Sequence, residues 1–98
     1  MADWKESGAK AHLEIRYCLP CGYLPMAAWI GTEFWSDFKG ELAVTLTPVK
    51  DGRLEILFNG EMIFDKKAEG NTPPHLMKVR ELKARVREKL QAVAAGAR

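Results

Sequence analysis

Ninety-eight residues make one domain, and 47% apolar with 29% charged residues is ordinary globular composition that excludes wholesale disorder. Fifteen Lys and Arg against thirteen Asp and Glu leave a formal net charge of +2, too small to argue for nucleic acid. The longest uncharged run, Tyr17 to Thr32, is broken by Pro20, Gly22 and Pro25 and excludes a clean membrane span, while the first residues carry no apolar signal segment that would point to secretion.

Residues 1–10 are small and polar apart from Trp4 and read as a mobile tail. A single domain is expected over 11–93, with a frayed C-terminus at 94–98. From His12 to Tyr17 the chain alternates strictly. Leu13, Ile15 and Tyr17 fall on one side and His12, Glu14 and Arg16 on the other, which predicts a half-buried strand. The period then changes. Tyr23, Ala27, Ile30, Phe34 and Phe38 recur at helical spacing and predict an amphipathic helix over about 22–38. Pro25 is tolerated in its first turn, and Gly40 is the expected stop.

Alternation returns from Glu41 to Thr47, with Leu42, Val44 and Leu46 on one side, and 48–52 reads as a loop. Strands over 54–58 and 62–64 flank Asn59-Gly60, a dipeptide suited to the positive φ angles of a type I′ hairpin turn. A two-residue turn sets Phe58 opposite Glu61 and Ile56 opposite Ile63, gathering Leu57, Met62 and Phe64 on the other face. Thr72 is placed to cap a second helix begun by Pro73 or Pro74, with Val79, Leu82, Val86, Leu90 and Val93 as its apolar face. The order β-α-β-β-β-α makes the first two strands parallel across a right-handed crossover and the last two an antiparallel hairpin. The expected fold is α/β and thioredoxin-like, a mixed four-stranded sheet with two helices mainly on one face.

Cys18-Leu19-Pro20-Cys21 falls where the first strand ends and the helix begins. Two cysteines three apart, without a signal segment, point to a redox pair rather than an extracellular disulfide framework. Attack on a disulfide requires a thiolate. The first N–H groups of a helix are unpaired and carry partial positive charge, so a thiol that ordinarily titrates near about 8.5 is expected around 7–8 there. Pro20 is expected to stiffen the motif from the first helical turn, and Leu19 and Gly22 complete it. The spacing lets one sulfur attack and the other resolve the mixed disulfide. Half of a zinc site is the competing reading. Only His12 and His75 remain as nitrogen ligands, with no second cysteine pair, so no metal is expected.

The stretch Glu-Ile-Arg-Tyr-Cys-Leu-Pro-Cys-Gly-Tyr over 14–23 resembles the opening of the selenoprotein W, T and H (Rdx-type) family. Leu54 to Gly70 is similar to that family's hairpin, which ends in a basic pair and a glycine, and Arg80-Glu-Leu-Lys83 resembles its bacterial members. The resemblance covers about residues 12–90. It implies a thioredoxin-like fold and a thiol-based redox role. The family's selenoproteins carry selenocysteine at the second motif position, which is Cys21 here, so the chain resembles a cysteine-only homologue. A thiol is less acidic than a selenol and its anion less reactive. Thioredoxin mechanics would have Cys18 attack, whereas the selenocysteine position would have Cys21 attack, and both remain open at this point. Thioredoxins also carry a cis-proline beside the motif, just before the third strand. Pro48 stands six residues before Leu54 and is not assigned that role.

Trp29 and Trp35 fall off the apolar face of the first helix, by about 100° per residue. Trp29 is the candidate partner surface, while Trp35 and Tyr23 read as core or its margin. Lys78, Arg80, Lys83, Arg85, Arg87 and Lys89 read as a solvated helix face, and Arg16, on the same strand side as Cys18, as a solvated arginine. Together these features predict a small cytoplasmic thiol–disulfide oxidoreductase or redox-responsive protein cycling Cys18 and Cys21. No tightly bound cofactor is expected. Glutathione or a thioredoxin system would serve as reductant, and the partner would be a protein or small-thiol redox partner. Neither nucleic acid nor membrane is expected as a partner. The expected state is a monomer or a weak homodimer through Leu57, Met62 and Phe64. The alternative is a protein-binding module around Leu19, Pro20 and Trp29, gated by thiol state and without turnover.

Overall fold

The computed structural model describes residues 3–96. The elements are β1 (Ala11–Cys18), α1 (Leu24–Phe38), β2 (Leu42–Val49), β3 (Leu54–Phe58), β4 (Glu61–Asp65) and α2 (Leu76–Gly96), with 3-10 turns at Trp4–Ser7 and Lys39–Glu41. The sheet runs β2-β1-β3-β4. β1 pairs with β2 in parallel, as a helical crossover requires, and with β3 antiparallel, and β3 pairs antiparallel with β4.

The alternation in β1 decides which face is covered. Leu13, Ile15 and Tyr17 join Leu42, Leu54, Ile56 and Phe58 of the neighbouring strands against Ala27, Ile30, Phe34 and Phe38 of α1 and Val79, Leu82, Val86 and Leu90 of α2. Both helices therefore cover one face of a mixed four-stranded α/β sheet. Each of the buried Leu, Ile, Val and Phe side chains contributes roughly 1.5–3 kcal/mol on burial, which makes this shared core the main source of stability. Gly31 lets α1 approach β2 closely: a Cβ there would stand 3.2 Å from Val44 Cγ1.

Several boundaries differ from expectation, each for a local reason. α1 starts at Leu24, not 22, because Gly22 adopts the left-handed φ of 78° and breaks the turn before it. Its end is marked by Lys39 at φ 51°, while Gly40 continues in a 3-10 turn. β2 runs on through Pro48 and Val49, which pair with Tyr17 and Cys18, so the first two residues of the expected loop are strand and the loop itself begins at Lys50. The proline is tolerated because β2 is an edge strand. α2 begins at Leu76, and the side chain that reaches back to its first turn is His75, whose Nδ1 accepts from Lys78 N–H at 3.4 Å, rather than Thr72.

The hairpin turn is as expected, with Asn59 at φ 48° and Gly60 at φ 86°. Its register is not. A bulge between Ile56 and Leu57 sets Ile56 opposite Phe64 instead of Ile63. Phe64 and Ile63 both join the core, and Phe64 leaves the face it was expected to share with Leu57 and Met62. Ahead of β1, Asp3 caps the Trp4–Ser7 turn and Trp4 stacks on His12 with ring centroids 5.5 Å apart. Residues 1–2 of the expected tail and 97–98 of the expected C-terminus lie outside the described residues. Among the described residues, no helix is long and apolar enough to cross a membrane.

Candidate redox site

β1 delivers Cys18 at the end of the parallel pair with β2, opposite Val49. Leu19 N–H still donates to the Val49 carbonyl at 2.9 Å, and the chain then turns. Gly22 N–H donates to the Leu19 carbonyl at 3.1 Å and Tyr23 N–H to the Cys18 carbonyl at 3.3 Å, closing a loop that the positive φ of Gly22 makes possible. Within it Cys18 and Cys21 are joined as a disulfide, their Cα atoms 5.3 Å apart. Their environments differ. Cys18 is 1% exposed, whereas Cys21 faces solvent.

The pair does not occupy the first helical turn. α1 begins three residues after Cys21, with Tyr23 at its N-cap, and the proline that opens the helix is Pro25, not Pro20. Pro20 lies in the turn between the cysteines. The field of a helix terminus fades within one turn, and Pro25 contributes no N–H to it. Its pull on the Cys21 thiol is therefore weaker than a motif inside the helix would feel.

The uncovered side of the sheet carries a polar network beside the motif. Arg16, two residues before Cys18, lies 3.3 Å from Glu14 and 3.8 Å from Glu55. Thr47 donates to Glu14 at 2.8 Å, and the Arg53 guanidinium grips Glu55 through two bonds of 2.9 and 3.0 Å. The Arg53 hydrogen bonds hold the Glu55 carboxyl below its usual range, against the opposing effect of burial. Burial pushes the Glu14 carboxyl up, but hydrogen bonds from Thr47 and Arg16 outweigh it and the net direction is down. Burial also pushes the His12 imidazole down, with Glu14 acting the other way; its Nε2 lies 2.7 Å from Thr45 Oγ1.

The remaining sequence candidates divide. Leu19 and Pro20 meet Pro48, Val49 and Lys50 around an open apolar depression next to the cysteines. Trp29 sits on α1 at 37% exposure, and Trp35 is exposed with the Lys39 ammonium 4.6 Å over its ring. Five of the six α2 cations are tied down, Lys83 to Glu33 and Asp37, Arg87 to Asp37, Lys89 to Glu61, Lys78 to Glu69 and Glu81, and Arg85 to the Ile63 carbonyl, while Arg80 is exposed. His12 stands six residues before Cys18 in one strand, about 20 Å away, and no group of three or more His, Cys, Asp or Glu among the described residues is placed to hold a metal ion.

Sequence reasoning missed Lys66. It is 5% exposed, and its ammonium lies 5.5 Å from the centroid of the Tyr23 ring. The signal available was the basic pair Lys66-Lys67 at the end of the hairpin, where one lysine turns in and the other out.

The Rdx family matches residues 12–88 of the chain. Among solved structures the chain is similar to a selenoprotein W-related protein of Vibrio cholerae, with a TM-score of 0.73 and 37% identity, covering 82% of this chain and 96% of that one. It is similar to a protein of Bordetella parapertussis with a TM-score of 0.71 and 34% identity, covering 81% and 96%. A curated relative, migration and invasion enhancer 1 of Mus musculus, is 32% identical over an alignment of 73 residues that covers 69% of this chain. The matched stretch spans 58% of that relative's length.

Proposed function

The chain belongs to the Rdx family, and on that premise we propose that it is a small thiol–disulfide oxidoreductase in which Cys21 attacks and Cys18 resolves. The observation that carries this reading is the unequal exposure of two bonded cysteines at the end of β1. An incoming disulfide reaches an exposed sulfur and not a buried one. The Cys21 thiolate attacks one sulfur of a substrate disulfide, forming a mixed disulfide and expelling the other sulfur as a thiolate that takes up a proton. Cys18, as thiolate, then attacks the Cys21 sulfur, closes the protein disulfide and releases the second substrate thiol. The substrate gains two electrons and the protein loses two. Two molecules of a small thiol such as glutathione return the pair to the dithiol and leave as their own disulfide. Such a cycle requires a compartment that keeps the small thiol reduced.

The test is a titration of the purified protein in glutathione buffers, with free thiols counted by mass-tagged alkylation. A reversible two-electron transition between about −200 and −320 mV is the expected result. Thiols that never pair, or a disulfide that never opens, would overturn it. The second reading, a redox-gated binding module, draws its support from the apolar depression of Leu19, Pro20, Pro48 and Val49 beside the disulfide. A Cys21→Ser variant separates the two: an oxidoreductase loses exchange, and a pure binding module keeps its partner.

A further inference from the structure

Burying a lysine without a carboxylate is costly, and Lys66 does so next to the cysteine loop. Its ammonium has three neutral partners: the Asn71 side-chain oxygen at 2.7 Å, the Gly52 carbonyl at 3.4 Å and the face of Tyr23. Lys66 makes no ion pair among the described residues. Of the carboxylates nearby, Glu55 is paired with Arg53 and Glu69 with Lys78, while Asp65 accepts from the neutral Lys67 amide and Asp51 precedes Gly52, neither of them in an ion pair with Lys66. No carboxylate among the described residues lies within ion-pair distance of the ammonium.

Its position is fixed from both sides. Lys66 N–H donates to the Leu54 carbonyl, and Leu54 pairs with Tyr17, the residue before Cys18. That sets the Lys66 backbone two strand spacings, roughly 10 Å, from the end of β1. The ring under the ammonium belongs to Tyr23, whose amide closes the loop onto the Cys18 carbonyl. The helix terminus begins too late to serve Cys21 fully, and Lys66 offers a positive charge on the same end of the sheet.

We propose that Lys66 is a positioning residue of the redox site: its ammonium, without an ion-pair partner among the described residues and set against Tyr23, holds the 18–23 loop and favours the thiolate form of the reduced cysteine pair. This rests on the oxidoreductase reading. The ammonium lies 5.5 Å from the Tyr23 ring, and the Tyr23 amide is hydrogen-bonded to the Cys18 carbonyl, so charge and sulfurs are within about 10–15 Å; in a partly buried setting a cation at that range favours an anion by about threefold to tenfold at fixed pH.

The test follows the alkylation rate of the reduced protein against pH, in the wild type and three variants. Lys66→Met keeps the stem and removes the charge, Lys66→Arg keeps the charge, and Asn71→Asp sets a carboxylate against the ammonium. The Lys66→Met and Asn71→Asp profiles are expected to move to higher pH, with a threefold to tenfold lower rate on the rising limb, while Lys66→Arg stays near the wild type. Should Lys66→Met fail to fold by circular dichroism, Asn71→Asp carries the decision. Unmoved profiles overturn the proposal, as does a Lys66→Arg profile displaced as far as the Lys66→Met one. A wild-type pair that never cycles in glutathione buffer overturns the oxidoreductase reading instead, and the alkylation profiles remain readable in that case.

Discussion

Asn59 holds the backbone of His12 in both directions: its amide donates to the His12 carbonyl at 2.8 Å, and its side-chain oxygen accepts from the His12 N–H at 2.9 Å. A turn residue thereby extends the β1–β3 ladder one step past Leu13 and Phe58. Asn59 also sits at φ 48°, a region that asparagine tolerates and alanine does not. Asn59→Ala is expected to lower stability by about 1–3 kcal/mol in urea denaturation, combining a lost hydrogen bond with left-handed strain. Asn59→Asp keeps both the acceptor and the conformation and should stay close to the wild type. Equal losses in the two variants would show that the clasp contributes nothing.

The unequal burial of the cysteines predicts unequal chemistry. In the fully reduced protein, Cys21 should be alkylated at least about tenfold faster than Cys18, since reactivity follows thiolate character and access. Cys18→Ser should keep the fast site and accumulate a mixed disulfide with oxidised glutathione. Cys21→Ser should lose the fast site. Peptide mapping after timed alkylation reads both directly, and faster labelling of Cys18 would reverse the assigned roles.

Acid should unfold the protein partly through Glu55. Its carboxyl titrates lower in the folded chain than in the unfolded one, so its contribution is present above the unfolded value of about 4.3 and is lost as pH falls through the folded value. His12, also lowered, adds a loss of the same sign below its ordinary 6.5. The urea midpoint is expected to fall between about pH 5 and 3, and Glu55→Gln should flatten that limb by less than about 1 kcal/mol because Arg53 is partly solvated. An acid limb identical in Glu55→Gln and wild type would remove Glu55 from the account.

What the sequence made legible follows from period. Leu13, Ile15 and Tyr17 declare the covered face of β1, and the spacing from Ala27 to Phe38 declares α1, because burial imposes those repeats directly. Cys18 and Cys21 declare a redox pair by type and spacing. Features set by a single backbone angle or by a third element were not legible. Gly22 could end the strand or open the helix, and only its φ decides that Cys21 stands before α1. His75 displaced Thr72 at the start of α2 because the two prolines stay outside the helix. Lys66 is one of two adjacent lysines, and nothing in composition distinguishes the buried one.

The bulge at Ile56 bears on assembly. A regular hairpin would have placed Leu57, Met62 and Phe64 together on the uncovered face, an apolar patch able to seat a second copy. The extra residue instead turns Phe64 into the core beside Ile56 and leaves Met62, at 44% exposure, as the exposed member of the three. Leu57 is itself buried. One methionine is far below the roughly 800 Å² per partner of a stable interface. No dimer through this face is therefore expected, and Met62→Lys should leave the mass seen by light scattering unchanged from micromolar to about millimolar concentration. A mass that rises with concentration in the wild type and falls back in Met62→Lys would establish a dimer through this face.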